Sequence, residues 1–165
     1  MSFYGEAYAG SGVNGAHLNT MLGPKGSAVE QAWATALATP SAGHAPFVVI
    51  ARPNMPVLPM TLFVNKATIA SPAHATITWG AAQLGVASGV LDAVAEGLIE
   101  RTDAPELLLI TAVWVDPKAD DADAVYANNR EATTEAIRRG FALEVTDELL
   151  ALREHPLNGY YNPRG

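Results

Sequence analysis

The run LLLITAVWV at residues 107–115 constrains this chain more than any other stretch. It carries no charge and is rich in Leu, Ile and Val, the composition of a central strand. Such a strand needs partners on either side. Four earlier segments read as candidates: Phe3–Ala9, VNGAHLNTML at 13–22, the short buried APFVVIA at 45–51, and a long strand, MTLFVNKATI at 60–69. The Pro-punctuated loop RPNMPVLP separates the last two.

Three helices fit between and after these strands. Ser27 with Glu30 forms a capping box after the turn Gly23-Pro24-Lys25-Gly26, which lacks the GxxxxGK[ST] spacing of a phosphate loop. Ser71 as cap and Pro72 at the first helical position start an apolar helix that runs to Ile99, with a seam of Trp79, Val86, Val90, Val94 and Leu98 flanked by Ala87 and Leu91. A third helix runs from the acidic DPKADDADAV to Arg138-Arg139-Gly140, negative first and positive last as the helix dipole prefers. The order predicts an α/β (α+β) protein, a mixed sheet covered by helices. One domain spans 1–165, with an irregular tail from about 143 that holds a short helix and the tyrosines Tyr160 and Tyr161.

Composition narrows the function. With 49% hydrophobic residues the 165-residue chain fills a sizeable core. A net charge of −7 without a basic cluster argues against a nucleic-acid or anionic-membrane surface. The absence of cysteine removes thiol nucleophiles and thiolate metal sites, and no pair of histidines has metal-site spacing. The start MSFYGEAYAG has neither the basic opening nor the apolar run of a signal peptide, so a cytoplasmic protein is expected.

Within the strands, polar residues stand where packing does not need them. On an extended chain Gly15, His17, Asn19 and Met21 share one side, while Ala16, Leu18, Thr20 and Leu22 make the natural core face. The pattern repeats in the later strand, where Lys66 and Thr68 follow Leu62 and Val64 on one side. Gln83 falls on the apolar helix seam and, if buried, needs partners. Such residues suit either a solvated face or a ligand contact. His44 in a loop, His74 in a first helical turn and His155 in the tail read as surface residues.

Several segments carry a family resemblance: GEA at Gly5–Ala7, AH at Ala16-His17, GPKGS at Gly23–Ser27, PNMP with P.TL..NK.TI between Pro53 and Ile69, GAAQLGVASGVLDAVAEGLI from Gly80 to Ile99, and HP at His155-Pro156. Their order and spacing resemble the formaldehyde-activating enzymes, which join formaldehyde to tetrahydromethanopterin. The resemblance implies a fold like the second domain of ribosomal protein S5, a homopentamer, and an active site between subunits. It implies His17 as general acid and Asn19, Val48, Lys66, Thr68 and Gln83 as pterin-contacting positions, with tetrahydromethanopterin as co-substrate and no metal. The family pattern has aspartate at 19 and leucine at 48, so Asn19 lacks a charge. The chemistry fits: the carbinolamine formed by a pterin nitrogen and formaldehyde loses its hydroxyl as water, and a histidine supplies the proton. The expected activity is that of a carbon–oxygen lyase. The alternative is a non-catalytic pterin- or aldehyde-binding paralogue, a sensor or carrier that keeps the pocket; a purely structural pentamer is the third reading.

Overall fold

A computed structural model describes residues 1–158 and 161–163, so Tyr160 lies outside the described residues. The main sheet contains β1 (Phe3–Ala9), β2 (Ala16–Pro24), β3 (Phe47–Val48), β6 (Met60–Asn65) and β7 (Leu107–Trp114). A separate two-stranded ribbon pairs β4 (Ile50–Arg52) with β5 (Met55–Pro56). The sheet order is β1-β2-β7-β6-β3, so the charge-free run does occupy the centre. β6 and β7 are parallel and the other neighbours antiparallel, which makes the sheet mixed.

Parallel neighbours need a crossover. Here it consists of α2 (Pro72–Ile77), a π-helical turn at Thr78–Ala82, and α3 (Gln83–Ala95). Together with α4 (Ala122–Ala142), α3 covers the sheet face that carries Leu18, Phe63, Leu109 and Val113. On the other face α1 (Ala28–Ala38) reaches only one end, where its buried Val29 sits against Gly23. The rest of that face is open, and Tyr4, Tyr8 and Trp114 are exposed on it.

Several expected elements differ in detail. The strand expected over 13–22 begins at Ala16, after a short 3-10 turn at Gly12–Asn14. APFVVIA is divided: β3 and β4 flank Val49, the one fully buried residue of the three at 48–50, and β4 leaves the main sheet. The long strand stops at Asn65, whose Nδ2 donates to the carbonyls of Gly43 (2.8 Å) and Ala67 (2.7 Å) and turns the chain. Thr68 therefore lies in a loop rather than on the strand face. Around the π-helical turn an extra residue enters the ladder, which puts Trp79 out of phase with the stripe after it. The observed stripe is Ala82, Val86, Val90 and Ala93, leaving Trp79 and Leu91 exposed.

His74 is the clearest departure, since it is 2% exposed instead of superficial. Its Nδ1 accepts from the Ala70 amide at 3.1 Å, and its Nε2 lies 3.0 Å from the Val115 carbonyl. An amide only donates and a carbonyl only accepts, so the ring is neutral with its hydrogen on Nε2. It ties the loop after β6 to the end of β7.

The covered face of β1 carries Gly5, Ala7 and Ala9, small residues that let α4 lie close. A Cβ at Gly5 would overlap the carbonyl oxygen of Ala136 on α4. Gly5→Ala is therefore expected to cost about 3 kcal/mol, the upper part of the usual overpacking range. Urea unfolding measures it; an unchanged midpoint would show that α4 can retreat freely.

Candidate functional site

The open sheet face gathers the polar residues. Along β2 the side chains alternate, with Ala16, Leu18, Thr20 and Leu22 buried, His17 and Met21 half-buried, and Asn19 exposed. His17 lies between Tyr8 of β1 and Trp114 of β7 in register, and Asn19 lies between Glu6 and Ala112. The backbone amide of Lys66 still bonds to Val113, at 2.8 Å, so the residue after β6 stands beside the end of β7 and its side chain reaches towards His17.

Three ionisable side chains consequently form a line. His17 Nε2 is 2.8 Å from Glu6 Oε1, and Lys66 Nζ is 3.2 Å from His17 Nδ1. An ionised carboxylate only accepts and an ammonium only donates. With both charged, the ring between them holds its hydrogen on Nε2, donates to Glu6 and accepts from Lys66. Burial pulls the Lys66 ammonium below the usual lysine range, and the Glu6 charge partly opposes that shift. Lys66 is therefore a readier proton donor than a surface lysine. Both Glu6 and His17 remain open to solvent, with side chains 54% and 31% exposed.

The other expected residues are distributed around this line. Val48, half-buried on β3, is in register with Leu62 of β6. Thr68 sits in the loop beyond Lys66, where its Oγ1 is 2.9 Å from His44 Nε2. Gln83 belongs to the covered side: its Oε1 accepts from the Ile50 amide at 3.1 Å and its Nε2 donates to the Trp79 carbonyl at 2.6 Å. The amide thus holds β4 against the crossover and does not join the His17 line. A groove of about 840 Å³ borders that line at Glu6, with Asn19, Tyr4, Ile110, Leu149 and Leu152 also along it. Among the described residues no three His, Asp or Glu side chains converge in a way that could hold a metal ion.

The family model described as formaldehyde-activating enzyme (Fae) matches residues 4–157. The chain belongs to this family. It is 40% identical over 159 residues to the 5,6,7,8-tetrahydromethanopterin hydro-lyase of Methanosarcina barkeri, covering 94% of this chain and 89% of that protein. It is also 40% identical over 164 residues to the bifunctional enzyme Fae/Hps of Methanothrix thermoacetophila, covering 97% of this chain and 42% of that longer protein. The bifunctional enzyme Fae/Hps of Methanosarcina mazei is 40% identical over 135 residues, with 82% of this chain and 34% of the relative covered.

For a formaldehyde-activating enzyme family member, Glu6 is the residue that pattern reading passed over. Its signal was present, since a charged side chain between Tyr4 and Tyr8 on a strand belongs to the same face as His17 once the two strands pair as a hairpin. Tyr8 and Trp114, the aromatic neighbours of His17, became visible in the same way. His44 gave no comparable signal, because its partners at Asn65 and Thr68 are set by loop packing.

Because Glu6 raises the proton affinity of Lys66, Glu6→Gln is expected to lower it further. Glu6→Asp, which keeps the charge, is expected to move it less. NMR titration of the Lys66 Nζ group measures both variants. A Glu6→Gln curve that coincides with that of the natural protein would show that the two charges do not communicate.

Proposed function

We propose that this protein condenses formaldehyde with tetrahydromethanopterin to give 5,10-methylenetetrahydromethanopterin and water. The observation that carries this reading is the Glu6–His17–Lys66 line on an open sheet face, in a chain of the formaldehyde-activating enzyme family. The hydro-lyase of Methanosarcina barkeri, similar over most of both chains, supports the same activity.

The difficult step is loss of the carbinolamine hydroxyl, because hydroxide is a poor leaving group. His17 protonates it. The ring gives the Nε2 hydrogen to the departing oxygen while Nδ1 takes a proton from Lys66, so the hydroxyl leaves as water; the second pterin nitrogen then closes the methylene bridge, and the proton it sheds returns through the ring to restore Lys66. Glu6, exposed beside Nε2, keeps the donating hydrogen on that nitrogen and then yields its place to the substrate. Formaldehyde offers little surface for binding, so the pterin supplies the orientation through Asn19, Val48, Lys66 and Thr68. His17→Ala is expected to reduce the rate of methylene formation above the spontaneous background by about 10²–10⁴-fold, with pterin binding retained. Near-full activity in that variant would remove His17 from the mechanism.

The active unit is a homo-oligomer, a pentamer by family resemblance. Support comes from the exposed apolar surface on Tyr4, Tyr8, Trp114, Leu149 and Leu152. A second support is Gln83, which lies away from the His17 line of its own protomer and would join a site shared with a neighbouring copy. Multi-angle light scattering is expected to give the pentamer mass; a monomer at micromolar concentration would exclude a site completed between copies.

A further inference from the structure

The loop that carries Lys66 and Thr68 is clasped by a tight turn at residues 41–44, which no part of the mechanism above uses. Ser41 and His44 exchange backbone hydrogen bonds, each 2.9 Å, and Gly43 takes a φ of +76°, a conformation that favours glycine. The Gly43 carbonyl accepts from Asn65 Nδ2 at 2.8 Å and from the Ile69 amide at 3.1 Å. Thr68 meets this turn with both branches of its side chain. Its methyl group lies where a Cβ on Gly43 would stand, and its hydroxyl is 2.9 Å from His44 Nε2.

The imidazole has a defined direction. His44 Nδ1 is 2.9 Å from the Asn65 carbonyl oxygen, which only accepts, so the ring hydrogen is on Nδ1. In the neutral ring Nε2 is then an acceptor, and the Thr68 hydroxyl donates to it. The Thr68 oxygen keeps lone pairs for another group and has no hydrogen left to offer.

We infer that His44 is a positioning residue that fixes the Thr68 hydroxyl as a hydrogen-bond acceptor, so that the loop beside Lys66 selects a ligand group that donates an N–H. A reduced pterin ring presents such groups, and the inference rests on the proposed pterin-binding role of this loop. His44 acts through Thr68 and does not touch the reacting atoms. Its loss is felt in binding rather than in the proton-transfer step, because a freely rotating hydroxyl must be reoriented when the ligand arrives.

Imidazole ¹⁵N spectra of the free protein test the geometry without any ligand. The expected result is His44 protonated on Nδ1, with an Nε2 resonance that moves in Thr68→Val while Nδ1 stays in place. The opposite tautomer, or an Nε2 resonance indifferent to Thr68→Val, overturns the inference. Titration with tetrahydromethanopterin tests the consequence. His44→Asn, which retains a donor for the Asn65 carbonyl but loses the Thr68 contact, is expected to weaken binding about 3- to 10-fold and leave kcat within about two-fold. His44→Gln, which carries an acceptor to the Nε2 position, is expected to restore most of the affinity. In a Thr68→Val background His44→Asn is expected to cost nothing further. Equal losses with and without the Thr68 hydroxyl would make His44 a merely structural residue and overturn the inference. Failure of the natural protein to bind the pterin would instead defeat the functional reading, and the spectra alone then decide whether His44 directs Thr68.

Discussion

The sheet is covered unequally, and the candidate site follows from that asymmetry. α3 and α4 pack on the face of Leu18, Phe63, Leu109 and Val113, while α1 reaches only one end of the other. A strand alternates its side chains between faces, so β2 sends Leu18 into the core and His17 and Asn19 to the open side without any special backbone geometry. The same alternation brings Glu6 on β1 to the face of His17. A shift of one residue in either strand would exchange the two sets and bury the charges. Packing of the covered face therefore fixes the register that the open face needs.

Lys66 and Thr68 depend on a second constraint. They lie after the end of β6, where the sheet ladder no longer holds the chain, and the loop is instead fixed by buried side chains that satisfy its backbone. Asn65 holds the carbonyls of Gly43 and Ala67, and His74 holds the amide of Ala70 while reaching the Val115 carbonyl. Buried polar groups of this kind are costly when a partner is missing, on the order of 1–3 kcal/mol for each unsatisfied group. The loop therefore resists local opening, and a lysine carried on it can face His17 at a defined distance.

How much of this was legible in the sequence depends on the range of the interaction. The alternation around His17, the central place of residues 107–115 and the caps at Ser27 and Ser71 all rest on local patterning, and the structure contains each of them. The end of β6 at Asn65 was not legible, because one of the two carbonyls that turn the chain there comes from Gly43, far away in sequence. The seam of the crossover was misplaced at Trp79 because periodicity assumes a uniform helix, and one π-helical turn is enough to change the phase. His74 looked superficial for a related reason: position in a first turn says nothing about which neighbouring strand end closes over it. The Glu6 contact was half legible, requiring only the pairing of two predicted strands, whereas the partners of Gln83 and His44 required the tertiary structure.

Asn19 can now be understood through its neighbour instead of through the charge it lacks. It is directly opposite Glu6 in the antiparallel pair, and Glu6 already places a carboxylate on His17. An aspartate at 19 would set two carboxylates across from each other, an arrangement that costs on the order of 1 kcal/mol between exposed strand partners. The imidazole does not depend on residue 19 for a negative partner. An amide at this position lowers the repulsion around Glu6 and still carries both a donor and an acceptor. Asn19, where the family resemblance implies aspartate, therefore leaves the line from Glu6 through His17 to Lys66 intact, because that line contains no atom of residue 19.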